Sequence, residues 1–273
     1  MIYLSSLSKQ IAQSIHAIEN RNDMPKSTAS PVTTTGRILY ALALLGFGIQ
    51  YAIFGHLRRG LPLCPVWLHH NRLIAYALAA ILIAAALAFL TAWRALATSL
   101  ILGLLLLVTS ALYLQHLNYV LHDADGRIPF LECLSFAATA LILHGLSAGA
   151  NAKLSLMPGR ILFAFAMIVF GVQHFMYARF IATLIPGWIP QHYFWTIFTG
   201  IALIAAGVSI ATTIADKYAA YGLFLLFFGW LALLHAQRIL HALHNGDEWS
   251  SGFVVLGLSG ASLLLAASSQ QAP

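Results

Sequence analysis

The sequence predicts an all-α integral membrane protein: eight transmembrane helices forming two tandem four-helix bundles, preceded by an amphipathic helix. Three observations lead there. The 273-residue chain is 60% hydrophobic and 8% charged, with a mean hydropathy of +0.82. Soluble domains carry about a quarter charged residues, so a water-soluble fold is excluded. Apolar stretches near 36–57, 72–94, 96–118, 129–148, 159–181, 193–213, 218–240 and 250–268 are long enough to cross about 30 Å of hydrocarbon, which takes roughly 20 helical residues. The chain also repeats itself: Gly36-Arg37-Ile38-Leu39-Tyr40-Ala41-Leu42-Ala43-Leu44-Leu45-Gly46-Phe47-Gly48-Ile49-Gln50 returns 123 positions later, from Gly159 to Gln173, with 9 of 15 residues identical. An internal period of this kind marks a duplicated structural unit.

The echo continues through Leu82-Ile83-Ala84-Ala85 and Leu203-Ile204-Ala205-Ala206, then through Gln115, His122 and Asp125, which answer Gln237, His244 and Asp247. It divides the chain into an arm and linker (1–35), a first four-helix repeat (36–150) and a second (159–268). In the arm, Leu4, Leu7, Ile11, Ile15 and Ile18 recur at helical spacing among polar residues, the pattern of a helix lying on a membrane surface or a partner. It lacks the apolar core and cleavage site of a signal peptide and is expected to be retained. Residues 20–35, polar and carrying Pro25 and Pro31, read as a tether.

An even number of spans puts both termini on one side. With the termini inside, eight Lys and Arg residues face the cytoplasm against six opposite, and Arg179 and Arg238 can snorkel from helix ends. This predicts a multi-pass protein of the cell's inner (plasma) membrane with cytoplasmic termini. The net charge of +6 is spread along the chain; it suits anionic lipid headgroups and does not point to nucleic acid.

Between the first and second spans of each repeat runs a proline-marked loop, Leu61-Pro62-Leu63-Cys64-Pro65-Val66-Trp67 and Ile185-Pro186-Gly187-Trp188-Ile189-Pro190-Gln191-His192. Proline cannot continue a helix and tryptophan prefers the headgroup region, so each loop is expected to fold back and roof its bundle. Cys64 and Cys133 have no repeat counterparts and read as isolated thiols. Glu132, the one acidic residue expected inside a span, can neutralise Arg127 or a histidine or lie at the interface.

Ten of the twelve histidines fall at one end of the predicted bundle. On the third helix Gln115, Asn118, Tyr119 and His122 share a face; on the seventh, Gln237, His241 and His244 do, with His235 and Arg238 beside them. Gln173, His174, Tyr177 and Arg179 lie at similar depth on the fifth. Unsatisfied polar groups in hydrocarbon cost several kcal/mol, so these stripes are expected to face the bundle interior or a wet cavity. The repeat singles out one pair, because His174 and His235 stand where the first half has Tyr51 and Tyr113. Two neutral imidazoles on facing helices can ligate haem iron, bind a metal, or hydrogen-bond a quinone. No phosphate loop, nucleophile elbow or zincin motif occurs in the sequence.

The second repeat resembles the DoxX/DoxD-like family of four-helix membrane proteins. The resemblance rests on Gly159-Arg160-Ile161-Leu162, Phe170-Gly171-Val172-Gln173-His174-Phe175, the loop Ile185-Pro186-Gly187-Trp188-Ile189-Pro190, and Phe198-Thr199-Gly200. It covers about 110 residues, with the first half as a degenerate copy. A glutamate common early in the family's second helix is absent, with Ala202 near its place. The resemblance implies association with membrane oxidoreductases, as in the membrane subunit of quinone-reducing thiosulfate dehydrogenase. The sequence thus leads to a quinone or similar lipid-soluble redox ligand in the second bundle, lined by Gln173, His174, Tyr177, His235, Gln237, Arg238, His241 and His244, with Arg238 stabilising a reduced anion. No metal is called for beyond the haem alternative at His174 and His235. Redox or membrane-complex proteins are the expected partners, the chain acting as a membrane subunit of a quinone-linked oxidoreductase. The alternatives are a non-catalytic accessory or scaffold subunit, and a proton-coupled small-molecule transporter.

Overall fold

The computed structural model describes residues 30–55, 71–149 and 152–269. The predicted amphipathic arm falls outside them, as do the loop carrying Cys64 and His56, His69 and His70. Among the described residues all regular structure is helical, and eight helices are long and apolar enough to cross a membrane. They are α1 (Pro31–Phe54), α2 (Arg72–Thr91), α3 (Ala95–His122), α4 (Ala124–Ser147), α5 (Ala152–Met176), α6 (His192–Thr212), α7 (Asp216–His241) and α8 (Gly246–Ser268).

Helix boundaries differ from the sequence reading where local chemistry extends or breaks them. Pro31, read as part of a tether, opens α1; its fixed φ and missing N–H suit the first helical position. α4 and α8 each begin several residues early for one shared reason. The side chains of Asp123 and Asn245 accept from the N–H groups of Asp125 and Asp247, capping both helices at repeat-related positions, and the aspartates complement the positive helix end. The fifth span stops at Met176, and after Tyr177 a short helix, Ala178–Leu184, leads into the loop.

The connections α2–α3 and α6–α7 are also duplicated. Ala92 and Arg94 sit at φ of 58° and 48°, and Thr213 and Ala215 at 60° and 54°. Four non-glycine residues in the left-handed region, two per copy at matching positions, identify one turn design used twice.

Small residues decide which helices touch. A Cβ on Gly36 of α1 would lie 2.8 Å from the carbonyl oxygen of Gly260 in α8, and one on Gly159 of α5 would lie 2.9 Å from the carbonyl oxygen of Ala138 in α4. Gly36 and Gly159 are repeat equivalents, so the first helix of each repeat packs against the last helix of the other. Within each repeat the first and second helices also meet through glycine: Gly48 lies against Ala79 and Ile83, and Gly171 against Gly200 and Ile204. Such close backbone approach is the usual means of association between helices in lipid, where burial of apolar surface gives little net drive.

The two four-helix units consequently share one hydrophobic core. Its centre holds Tyr40, Phe47 and Phe136, with Phe47 edge-on to Phe136 at 5.7 Å between ring centroids. The Tyr40 hydroxyl donates to the Phe136 carbonyl at 2.7 Å, joining α1 to α4. At the opposite end from the histidine-rich rim, buried Arg160 of α5 donates to Asp216 at the start of α7, to Ser268 and Ser269 at the end of α8 and to the Ile210 carbonyl of α6.

Candidate functional site

Within the second repeat a cavity of about 220 Å³ opens between α5, α6, α7 and the loop before α6. His174 enters it from α5, Thr196 and Thr199 from α6, His235 from α7 and Ile185 from the loop; Trp195 and Trp230 complete one wall. The two rings are nearly perpendicular, at 86°, with centroids 6.2 Å apart, and the Trp230 indole N–H donates to the Thr199 hydroxyl at 3.3 Å.

The two histidines differ in their bonding. His174 Nδ1 donates to the Phe170 carbonyl at 2.8 Å. Since a carbonyl only accepts, the proton of the neutral ring is on Nδ1, leaving Nε2 with a lone pair. His235 Nδ1 is buried and has no protein partner. Its backbone lies in a single π-turn, Leu231–His235, inside α7; in the first half a 3₁₀ turn, Leu114–His116, follows directly after Tyr113, the position that answers His235. π-Bulges mark positions where a regular helix gives way to local demands, frequently at functional sites. In the first half the rings of Tyr51 and Tyr113 are fully or almost fully buried where the second has these histidines.

The loop before α6 puts Ile185 on this cavity's wall and Trp188, Ile189 and Pro190 on a neighbouring space. Trp188 donates to the Gln237 side chain at 2.8 Å, a ring nitrogen of His192 bonds the Pro186 carbonyl at 3.2 Å, and Ile185 and Ile189 pack with Leu234 beneath it.

The remaining predicted site residues stand elsewhere. Gln173 is buried beside His174 in sequence but not on the cavity wall, and its Nε2 has no partner. The Tyr177 hydroxyl accepts from Arg127 at 2.7 Å, so Arg127 is held there and not by Glu132. Gln237 holds the loop, and Arg238 pairs with Glu248 at 2.7 Å. His241 and His244 are exposed at the end of α7. Of the third-helix stripe, Gln115, Asn118 and His122 are exposed and do not enter the bundle interior, one of the two settings expected for them, whereas Tyr119 lines the acidic cavity that also holds Glu132. These residues follow or form the 3₁₀ turn at the end of α3, where water can satisfy them. Glu132 lines a separate cavity of about 620 Å³ between the starts of α4 and α8, with Asp125 and Asp247. Cys133 is a buried thiol bonded to the Leu106 carbonyl at 3.4 Å.

Sequence reasoning missed Trp195, Trp230, Thr196 and Thr199. The available signal was the position of Trp195 one helix turn before Thr199 and of Trp230 shortly before His235.

Fold and cavity together define a multi-pass helical membrane protein with a histidine-bearing apolar chamber in its second repeat. A family model described as "Domain of unknown function (DUF8561)" matches residues 163–256, a segment that contains both cavity histidines. No curated protein and no solved structure matches the chain.

Proposed function

We propose that the second repeat binds the ring of a quinone or quinol and that the protein serves quinone-linked redox chemistry at the membrane. The observation that carries this reading is the meeting of His174 and His235 in one apolar cavity. The donor set suits the reduced form: His174 Nε2 accepts the ligand's hydroxyl proton, while His235, with an unpaired ring nitrogen, bonds the opposite oxygen. At about 220 Å³ the space lies below the roughly 300–1,000 Å³ of drug-sized sites, which fits one ring and leaves no room for a haem macrocycle. A quinol supplies the electron and proton couple; the chain's own residues orient it, surround it with the apolar walls of Trp195, Trp230 and Ile185 and hold a proton at His174 Nε2.

The resemblance of Phe170-Gly171-Val172-Gln173-His174-Phe175 and the Ile185–Pro190 loop to DoxX/DoxD-like proteins supports the same role. In this reading the protein sits in the inner membrane with both termini cytoplasmic, the cavity lies in the outer half of the bilayer, and electrons pass to or from a partner protein.

The test uses the cavity's own indoles as reporters. Titrating a methyl-benzoquinol ring into the full-length protein in lipid nanodiscs should quench the fluorescence of Trp195 and Trp230 saturably. His174→Phe removes the acceptor while keeping an aromatic ring, and should weaken binding by about 1–2 kcal/mol, roughly tenfold. Equal quenching of the variant would overturn the assignment.

A further inference from the structure

The histidine cavity is one of three that share walls. A second space of about 350 Å³ lies on the far side of Trp195 and Trp230. A third, of about 600 Å³, continues it along the seam between α6 and α7. Leu226 borders all three, so the spaces adjoin in a row from the imidazoles, past the indole pair, to a lengthwise groove. The groove opens to the bilayer, since Leu225 and Tyr218 on its rim are 70% and 78% exposed. At its loop end the second space is bordered by Trp188, Ile189 and Pro190, with the Trp188 indole held by Gln237.

The helix that forms the groove departs from what packing alone asks of it. A Cβ built on Gly222 or Gly229, which border the two outer spaces, meets no atom within 4 Å. At Gly36, Gly48, Gly159, Gly171 and Gly260, by contrast, it collides with a neighbouring helix. Glycine costs a helix interior about 0.5–1 kcal/mol relative to alanine. At 222 and 229 this cost is not offset by helix contact, and what the missing side chains leave is room. The two positions are seven residues apart and share one helix face.

We propose that this groove holds the hydrocarbon tail of the ligand whose ring occupies the histidine cavity, making the ligand class a ring-headed isoprenoid or long-chain alkyl lipid that enters sideways from the bilayer between α6 and α7. Trp195 and Trp230 form the neck through which the ring passes. The inference rests on the ring-binding reading above and adds the tail's site and the direction of entry. The occupant follows from adjacency: the histidine cavity and the second space share Trp195, Trp230 and Leu226, and beyond them an apolar channel runs between α6 and α7, so a chain carried by a ring at His174 has an apolar space next to it.

The experiment is photocrosslinking of the full-length protein in lipid nanodiscs, with a methyl-benzoquinol carrying a decyl chain that ends in a diazirine. Adducts mapped by peptide mass spectrometry are expected on the groove-facing residues of α6 and α7, around Ala202, Ala219 and Gly222. Excess of the same ring without a chain should remove them at least tenfold. Gly222→Leu puts a side chain into the groove from a position where a Cβ meets no atom within 4 Å; it should cut adduct formation about tenfold while leaving tryptophan quenching by the chainless ring unchanged. Adducts that persist under competition would mean the groove takes ordinary bilayer lipid, and adducts on other helices would place the tail elsewhere. Either result overturns the tail site while the ring site stands. If the chainless ring fails to quench at all, the ring reading itself fails, and the tail inference with it.

Discussion

Charged and amide groups buried in this protein come in satisfied and unsatisfied versions of the same position, and the difference sets what substitution does. Gln50 donates to the Gly246 carbonyl at 2.7 Å and accepts from Ser250 at 3.2 Å. Its repeat partner Gln173 has no such arrangement, because Ser250 is answered by Ile128, and its Nε2 is left unpaired. Removing a paired buried amide costs about 1–3 kcal/mol, whereas replacing an unpaired one by an apolar group of similar shape is near neutral. Gln50→Leu should therefore lower thermal stability in detergent, and Gln173→Leu should leave it unchanged or raise it. Arg160 gives the sharper case: Asp216→Ala leaves a buried guanidinium without its carboxylate and should cost about 3–5 kcal/mol. Adding Arg160→Met removes the stranded charge, so the double variant should melt above Asp216→Ala alone. A double variant no better than the single would show that the ion pair is not what the buried arginine depends on.

At the scale of the helix, the same residue type does opposite work at different sites. Gly260 faces Gly36 so closely that a Cβ would come 2.6 Å from the Gly36 carbonyl oxygen, whereas Gly222 faces open space. Gly260→Val should prevent stable assembly, read as loss of the monodisperse peak in size-exclusion chromatography. Gly222→Ala should stabilise the fold by about 0.5–1 kcal/mol. Helices, spans and the duplication were legible in the sequence because hydrocarbon demands long apolar runs and copies keep their glycines. Partner choice was not legible: a glycine announces close approach but does not name the helix that approaches. The pairing of His174 with His235 was readable because the repeat isolates them against Tyr51 and Tyr113. The wider ring of Gln237, Arg238 and Tyr177 was not, since Trp188, Glu248 and Arg127, far off in sequence or across a turn, take up their hydrogen bonds.

The exchange of end helices between repeats has a consequence for the molecule as a whole. α4 and α8 are the most buried spans, at 72% and 78% of their apolar windows, and each meets the first helix of the other repeat through glycine. A severed second repeat would lose Ala138 and Ile142 of α4 from the side of Gly159, and would leave the Gly260 face of α8 without α1. Lipid can cover those faces, but it cannot reproduce backbone contact at glycine distance, and packing rather than hydrophobic drive holds helices together in a bilayer. Cutting the chain between α4 and α5 and expressing the halves together should therefore give fragments that co-purify and resist protease like the intact protein. Each half expressed alone should be degraded or aggregate. The cavity sits wholly within the second repeat, so equal protease resistance of that half with and without its partner would show an autonomous bundle. In that event the first repeat, with tyrosines in place of the histidines, would have no part in holding the site, and its glycine contacts would be dispensable for ligand binding. With the shared core as described, ligand quenching should instead be recovered only when both halves are present.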